Sequence, residues 1–516
     1  MSAKIIVDGQ TLGPETVRLV LSGEPFVAEL DPDALGRIKA ARAVIEQAIA
    51  EDRTIYGVNT GFGKLADQRI PNDKLRQLQV NLLRSHACGV GAPLPEEEVA
   101  LALLFRANAL AVGCSGIRPV VVDTLLAMLN QGVRPEVPRK GSVGASGDLA
   151  PLAHLALPLI GEGVAVVNGR RMSGGRAMAR AGIETITLQA KEGLALINGI
   201  QITSAISTRV LDVGDRLLRT ADLAAAMSLE ALFGTDVPFD DRIHAVRPHP
   251  GQRVSAANVR SLLKGSEILP SHQGPHKVQD AYSLRCVPQV HGAVRDALSY
   301  AKRVVYREIN SATDNPLVFV EEGDVLSGGN FHGEPVALVM DHATLGLHEL
   351  GSISERRMES IVNPALSSGL PAFLALEGGL QSGFMMAQVT SAALVCETRT
   401  LCVPAAAESI PTSANQEDHV SLSPLAARKC AEVAGNVATI LAIEILAAAR
   451  GLDLRLPLHP GKGVAAAYDY IRQRVPRCDD DTPIAPMMEE VRNIVLDTHF
   501  LDAVEAVSGP LAGLLA

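Results

Sequence analysis

Apolar residues recur at helical spacing over long stretches of the second part of the chain. Few Gly or Pro residues interrupt these stretches, so the pattern predicts long α-helices. At a rise of 1.5 Å per residue, the longest would extend over about 40 Å, and aligned helices of that length form an elongated bundle. Their largely Ala, Leu, Val and Ile surfaces leave little polar face, which predicts an oligomer. The predicted helices cover residues 201–232, 287–310, 334–361, 383–401 and 421–450.

The first 200 residues have a mixed pattern. β-Branched runs at residues 4–7 and 17–21 predict short strands, and amphipathic segments at 40–50 and 74–85 predict helices. Glycine-rich loops interrupt this part more often than ordinary connections require. The predicted fold is therefore mainly α, with a mixed but mostly helical N-terminal domain (residues 1–199) and a domain of long helices and C-terminal helices (200–516).

Composition narrows the class of protein. The chain has 516 residues, 47% of them hydrophobic and 20% charged, which excludes a disordered chain. The formal net charge of -10 and the lack of a basic stripe argue against a nucleic-acid partner. Aromatic residues make up 3% and Trp is absent, which favours close packing of helices over strands.

Neither a membrane nor a metal ion is expected. The N-terminal residues lack a basic run followed by an apolar stretch, and charged residues interrupt the long apolar segments, so we expect a soluble, cytoplasmic protein. The seven cysteines are scattered without a C-x-x-C pair, as in reduced thiols. His272 and His276 have the spacing of a zinc pair, but no second Cys or His pair accompanies them.

The segment GSVGASGDLAPLAH at residues 141–154 carries the most chemical information. It is not a phosphate-binding loop, because Asp148 follows Gly147 where that motif has Lys. A structural alternative is a tight turn into a helix, with Ser146 or Asp148 as N-cap and Pro151 in the first turn.

A chemical alternative starts from Ala145, Ser146 and Gly147. If the loop bends sharply, the Gly147 amide nitrogen can reach the Ala145 carbonyl carbon, because glycine has no Cβ, and a five-membered ring closes. Loss of water from this adduct and from the Ser146 side chain leaves a methylidene group conjugated with the ring, which is an electrophile. The start of the following helix would favour negative charge as a nucleophile adds.

This segment resembles the active-site signature of the aromatic amino-acid ammonia-lyases. Seven further segments occur in the family's order: YGVNTGFG (56–63), SHACGVG (85–91), KEGLALING (191–199), KVQDAYSLRC (277–286), TDNP (313–316), GGNFH (328–332) and SANQEDHV (413–420). The resemblance covers nearly the whole chain. It implies a helical bundle of the fumarase/aspartase-like superfamily and a homotetramer whose active sites combine several subunits. It also implies a 4-methylidene-imidazol-5-one (MIO) group formed from Ala145, Ser146 and Gly147.

Site residues are assigned from the same resemblance. Tyr56 is the implied base, and its hydroxyl could act only if the surroundings lower its pKa from about 10. Arg285 is suited to clamp the substrate carboxylate, and Tyr282 shares its face if the segment is helical. In the family, Gln279, Tyr282 and Asn198 surround the MIO group and substrate, Phe331 packs beside the MIO group, and Asp148 assists ring formation.

Two residues bear on substrate choice. An imidazole buried without partners leaves its nitrogens unpaired, and His86 and Glu417 can satisfy them. Tyrosine-selective members share the histidine but have NQD where this chain has Asn415-Gln416-Glu417, so the resemblance implies deamination of L-histidine to trans-urocanate and ammonia. The chain departs from the histidine-specific pattern at Val403, where a histidine is usual, and at Gly333, where Ala is usual.

Other activities remain open from the sequence. The same residues would serve a tyrosine or phenylalanine ammonia-lyase, or a 2,3-aminomutase that returns the amine to the β-carbon. A catalytically silent helical scaffold is disfavoured, because the Ala-Ser-Gly triplet, Tyr56 and Arg285 are all present. The signature G-S-x-x-M-P-x-K-x-N of the fumarase and argininosuccinase enzymes is absent from the sequence.

Overall fold

The computed structural model describes residues 2–272 and 278–515 and contains two compact units. The first unit comprises the described residues of 1–209, 302–340 and 404–428, and the second those of 210–301, 341–403 and 429–516. Each unit is therefore assembled from three separate stretches of the chain. The predicted boundary between residues 199 and 200 stays a prediction.

The mainly α fold is confirmed, and the long helices lie where the apolar periodicity predicts them. Their ends differ from the predicted ends by a few residues. They span Gln201–Ala231, Val287–Glu308, Glu334–Val362, Met385–Leu401 and Ser423–Asp453.

The helix Ser423–Asp453 is long and apolar enough to cross a membrane by length and composition alone. However, 72% of its most apolar 18-residue window is buried inside the protein. It therefore has the character of a core helix. Of the helices in the described ranges, it is the one that meets both criteria.

Shorter helices and short strands make up the remainder of the first unit. The helices span Pro14–Ser22, Pro32–Ala50, Leu75–His86, Glu96–Ala111, Pro119–Asn130, Leu149–Ala156, Gly174–Arg180 and Glu192–Ile197. The strands span Ala3–Val7, Phe26–Leu30, Val90–Pro93, Arg134–Pro135, Pro138–Lys140, Val164–Val167, Arg170–Ser173, Leu317–Phe319 and Asp324–Leu326.

The predicted strand at residues 4–7 is confirmed, and the one at 17–21 is wrong. Strand Ala3–Val7 pairs in parallel with Phe26–Leu30, but residues 17–21 lie in the helix Pro14–Ser22. Pro14 occupies the first turn, where its fixed φ favours a helix, and Gly23 ends the helix with a left-handed φ of 73°. These end signals outweigh the β-branched content.

Three helices of the first unit bring distant sequence motifs together. Leu75–His86, Leu149–Ala156 and Glu192–Ile197 pack against one another. They carry His86, the loop that precedes residue 149, and Asn198, respectively. In the helix Glu96–Ala111, every residue from Glu98 to Ala111 is buried, and this helix packs against Pro119–Asn130.

In the second unit, the described residues form helices joined by turns and loops, without a named strand. Besides parts of the long helices, it contains helices at Asp241–Ala245, Pro250–Leu262, Ile268–Ser271, Tyr282–Arg285, Lys462–Arg472, Ala485–Leu496 and Thr498–Ser508.

Candidate active site

The Ala145-Ser146-Gly147 loop is pinned against the backbone at Gly199. Gly147 has a left-handed φ of 77°, and a Cβ built on it would lie 2.2 Å from the Gly199 carbonyl oxygen. The next amide, that of Asp148, donates a hydrogen bond to the same oxygen at 2.7 Å. Only glycine fits at position 147, because a side chain would collide with the backbone it packs on.

Asp148 is the N-cap residue of the helix that follows the loop, as the structural alternative predicts. Helix Leu149–Ala156 starts directly after Asp148, and Pro151 lies in its first turn as predicted. The Asp148 carboxylate makes no capping hydrogen bond within the described residues and instead accepts hydrogen bonds from the backbone amide and the hydroxyl of Thr203, at 2.7 and 2.8 Å. Burial raises the pKa of Asp148 to about 6, although both Thr203 hydrogen bonds oppose the rise.

A cavity of about 630 Å³ opens beside this loop, and all of its lining residues belong to the first unit. The structure therefore brings together seven residues that the sequence singles out over a span of more than 350 positions. They are Tyr56, His86, Ala145, Ser146, Asn198, Phe331 and Glu417.

Glu417 contacts the loop directly. Its Oε1 accepts a hydrogen bond from the Ser146 hydroxyl at 2.9 Å, and its Oε2 accepts one from the Thr412 hydroxyl at 2.6 Å. Backbone hydrogen bonds also join Thr412 and Glu417. Between them, Ser413, Ala414 and Asn415 all have positive φ, which shows that a strained turn holds the carboxylate at the cavity.

Tyr56 lies at the cavity with its hydroxyl oriented by local contacts. Its ring packs edge-on against Phe62 at 6.4 Å, and its oxygen accepts a hydrogen bond from the Gly63 amide at 3.4 Å. Burial raises the pKa of Tyr56, and the negative charges of Glu417 and Asp314 add to the rise. The described residues therefore do not supply the lowered pKa that the role of a base requires of Tyr56.

His86 is a neutral hydrogen-bond acceptor toward the cavity. It ends the helix Leu75–His86, and its Nδ1 lies 2.9 Å from the Leu82 carbonyl, which requires the ring proton on Nδ1. Burial lowers the pKa of His86, so the ring is neutral at pH 7. Its Nε2 is then left as an acceptor.

Asn198 is fixed from behind by a buried polar layer. Its Nδ2 donates to Asp314 Oδ1 at 3.3 Å and to the Asn315 carbonyl at 3.1 Å. The backbone carbonyl of Asn198 accepts a hydrogen bond from the fully buried Arg106 at 2.7 Å. Lys191, equally buried, pairs with Asp314 at 2.5 Å. Asn198 is thus oriented with its side-chain oxygen free to accept a hydrogen bond.

Sequence reasoning missed several residues of this site. Lys191 and Asp314 lie within the quoted motifs KEGLALING and TDNP, but no property of the sequence alone pairs them. His332 and His419 line the cavity with their rings stacked at 5.8 Å, and both lie within quoted motifs. The motifs that contain these residues are the signal in the sequence that could have identified them. The sequence does not show which of these residues contact one another in the folded protein.

Gln279, Tyr282 and Arg285 do not line this cavity. They belong to the second unit, where Gln279 and Arg285 line another cavity of about 580 Å³. The Arg285 guanidinium lies 4.5 Å from the centre of the Tyr282 ring, so the two residues share a face as predicted. Within the described part of the chain, the first cavity is lined by no Lys or Arg.

Two other positions singled out in the sequence have structural explanations. His272 bonds the carbonyls of Ile268 and Gly234 at 2.8 and 3.1 Å, whereas His276 lies outside the described residues. In residues 2–272 and 278–515, no cluster of three or more His, Cys, Asp or Glu side chains could hold a metal ion. At Gly333, a Cβ would lie 2.1 Å from the Ser423 hydroxyl oxygen, which explains glycine in place of alanine.

These contacts define a class of protein. A phenol, a neutral imidazole and a carboxylate lie at one cavity, beside a loop whose conformation requires glycine at position 147. This set of groups is typical of an enzyme active site for acid–base chemistry on a small polar molecule. Comparison with known proteins identifies the family. The chain belongs to the aromatic amino acid lyases, whose family model matches residues 12–473.

Relatives and solved structures agree with this assignment. The chain is 54% identical over 500 residues to a histidine ammonia-lyase of Anaeromyxobacter sp. (strain K), covering 95% of this chain and 98% of the relative. The crystal structure of histidine ammonia-lyase from Trypanosoma cruzi matches with a TM-score of 0.91 at 42% identity, covering 98% of this chain and 96% of that one. A tyrosine aminomutase from Streptomyces globisporus matches with a TM-score of 0.93 at 37% identity, covering 99% and 100%. The protein is a carbon–nitrogen lyase of helical fold.

Proposed function

We propose that this enzyme converts L-histidine to trans-urocanate and ammonia. The observation that carries the proposal is the carboxylate of Glu417, held at the cavity beside Ser146 and Tyr56. A carboxylate at a cavity accepts hydrogen bonds, and an imidazole N–H can donate one, whereas a phenyl ring offers no donor. The histidine ammonia-lyase relative, at 54% identity, supports the same substrate.

The Ala145-Ser146-Gly147 loop fits the MIO group. Gly147 has the left-handed backbone that a sharp bend requires, and the Ser146 hydroxyl is hydrogen-bonded to a carboxylate. Ring closure joins Gly147 N to the Ala145 carbonyl carbon and releases the Ala145 oxygen as one water. Ser146 releases its hydroxyl and α-hydrogen as a second water.

The residues around the loop have separate tasks in the elimination. Once formed from Ala145, Ser146 and Gly147, the MIO group would supply the electrophile for the substrate amine. The Tyr56 oxygen accepts the β-proton, and a nearby positive charge is required because its described surroundings raise its pKa. Asn198 presents an acceptor oxygen to the amine, and Phe331 bounds the cavity with an apolar ring.

Glu417 and His86 bind the substrate ring. Loss of the Ser146 hydroxyl during ring formation releases Glu417 Oε1 from its hydrogen bond, so this oxygen becomes available to a substrate N–H. His86 Nε2 is a second acceptor at the same cavity. An imidazolium ring, which carries two N–H donors, would satisfy both acceptors, whereas a neutral imidazole would satisfy one of them.

A homotetramer would supply the missing carboxylate clamp. Among the described residues, the cavity lining contains no Lys or Arg, and Arg285 and Tyr282 belong to the second unit. Arg285 from another copy of the chain would bind the substrate carboxylate and lower the pKa of Tyr56. Leu338 and Leu345, on the helix Glu334–Val362, are 56% and 50% exposed, as expected of residues that pack against another subunit.

A cytoplasmic location is part of this proposal. All seven cysteines are free, which fits a reducing compartment. The apolar helix Ser423–Asp453 is mostly buried within the protein.

A substrate assay tests the proposal. The purified protein is incubated separately with L-histidine, L-tyrosine and L-phenylalanine, and conjugated acrylate absorbance and free ammonia are recorded. We expect both products from histidine at a much higher kcat/KM than from the other two. A preference for tyrosine or phenylalanine would overturn the substrate, and β-amino acid without ammonia would show an aminomutase, as the similarity to tyrosine aminomutase allows.

A further inference from the structure

Ser142 spans the loop that forms the ring. Its hydroxyl donates a hydrogen bond to the Gly147 carbonyl at 2.9 Å and accepts one from the Gly144 amide at 3.0 Å. One side chain therefore joins the two ends of the segment that contains Ala145 and Ser146. No role in the chemistry has been assigned to Ser142 above.

Each of these two hydrogen bonds completes the fixation of one peptide unit. In the Val143–Gly144 unit, the carbonyl accepts from the Leu422 amide at 2.8 Å and the amide donates to Ser142. In the Gly147–Asp148 unit, the amide donates to the Gly199 carbonyl at 2.7 Å and the carbonyl accepts from Ser142. In both peptide units, the carbonyl and the amide are therefore hydrogen-bonded. Without the Ser142 hydroxyl, each unit would lose one of its two hydrogen bonds.

The reacting groups between these units are left free. In residues 2–272 and 278–515, no hydrogen bond engages the Gly147 N–H or the Ala145 carbonyl. Buried backbone donors and acceptors are normally hydrogen-bonded. Two unpaired backbone groups that flank a single residue, Ser146, are therefore unusual. The loop is rigid at its ends and unpaired at the two atoms that must meet.

We propose that Ser142 is a positioning residue for ring closure. By holding Gly144 and Gly147 at a fixed separation, its hydroxyl keeps the Gly147 nitrogen facing the Ala145 carbonyl carbon, which reduces the conformational search before the bond forms. The reaction is the loss of two waters described above, with no oxidant or reductant. The inference rests on the proposed cofactor, and Ser142 itself forms no covalent bond.

The test measures the intact mass of purified full-length protein at fixed times after synthesis. Ser142→Ala and Ser142→Val remove both hydrogen bonds, whereas Ser142→Thr keeps a hydroxyl with nearly the volume of valine. We expect the Ala and Val variants to lose the two waters about tenfold or more slowly than wild type, and the Thr variant to approach wild type. The mass is read independently of turnover.

Ser22→Ala is the matched control. The Ser22 hydroxyl also donates to a carbonyl, that of Leu19 at 2.9 Å, and accepts from an amide, that of Glu24 at 3.2 Å, at an exposed helix end. This control should dehydrate at the wild-type rate.

The outcomes separate this inference from the proposed cofactor. If wild type shows no loss of water, the cofactor itself is wrong. If wild type dehydrates and the Ala and Val variants match it, or if Thr is as slow as Val, the positioning role is overturned. Should Ser142→Ala not fold, the Thr and Val pair gives the same comparison at matched volume.

Discussion

At the scale of single residues, the sequence motifs predict many members of the site but neither their individual contacts nor the direction of their pKa shifts. Seven of the predicted residues line one cavity. They could be predicted because each stands in a motif whose composition matches a known chemistry. The direction of the Tyr56 pKa depends on which charges face it, and here burial together with Glu417 and Asp314 raises the pKa. The hydrogen bond between Ser146 and Glu417 joins positions 271 residues apart, and no local pattern encodes such a contact.

Glu417 should determine substrate selectivity. We expect Glu417→Gln to lower kcat/KM for histidine about ten- to a hundredfold, because a charge-assisted hydrogen bond in a desolvated site contributes about 1.5–3 kcal/mol. Activity toward phenylalanine, which has no ring nitrogen, should hold or rise. The measured quantity is the ratio of the two kcat/KM values.

Glu408→Gln is the control, because Glu408 is an exposed carboxylate of the same chain segment that does not line the cavity. A selectivity ratio that Glu417→Gln leaves unchanged would mean that Glu417 has a structural or purely catalytic role.

Asp148 should make stability depend on pH in an identifiable way. Because burial raises its pKa from 3.8 to about 6, the folded protein holds this proton more tightly than the unfolded chain does. Its contribution is therefore fully present below pH 3.8 and is lost as the pH rises through about 6. The total loss is about 3 kcal/mol for a shift of this size.

The measurement compares wild type with Asp148→Asn, which can keep both hydrogen bonds to Thr203. Between pH 4 and pH 7, the wild-type Tm should fall relative to that of the variant. Parallel pH profiles for the two proteins would show that Asp148 does not titrate in this range.

At the scale of elements, periodicity and end signals predict more than composition does. The long helices were predictable within a few residues because apolar spacing persists over many turns. At residues 17–21 the β-branched content predicts a strand, but Pro14 and Gly23 delimit a helix there. The packing of three short helices around the cavity was not predictable, since it depends on long-range contacts.

A buried ion pair should hold one of those helices in place. Lys191 immediately precedes the helix Glu192–Ile197, and it and Asp314 are almost entirely inaccessible to solvent. Lys191→Met would leave the Asp314 carboxylate buried without its partner, so we expect a loss of about 3–5 kcal/mol in unfolding free energy. The measurement is the midpoint of urea unfolding.

The comparison is Lys4→Met, which breaks an ion pair with Glu29 whose side chains are 56% and 51% exposed. This change should cost less than about 1 kcal/mol. Equal effects of the two substitutions would argue against a structural role for the buried pair.

At the scale of the whole molecule, the proposed homotetramer predicts active sites that are shared between chains. The first unit supplies the loop, Tyr56 and Glu417, and the second unit carries Arg285. We expect Ser146→Ala and Arg285→Ala to be inactive separately. Co-assembly of the two variants from unfolded chains should restore part of the activity, because some sites then combine an intact loop with an intact Arg285.

Each variant refolded alone provides the control for that mixing experiment. Recovery of activity should depend on both chains being present during assembly. Mixtures that stay inactive, although mixed oligomers form, would indicate that one chain supplies each site.

The intact mass of the wild-type protein tests the central claim most directly, since every proposed step depends on the loop having formed the ring. The wild-type chain should be lighter than its sequence by two water molecules. The Ser146→Ala variant should not lose the water that comes from the Ser146 side chain. It should also have almost no turnover, while its helical circular dichroism stays unchanged. A wild-type protein that releases ammonia from histidine while retaining the full mass of its sequence would contradict the account.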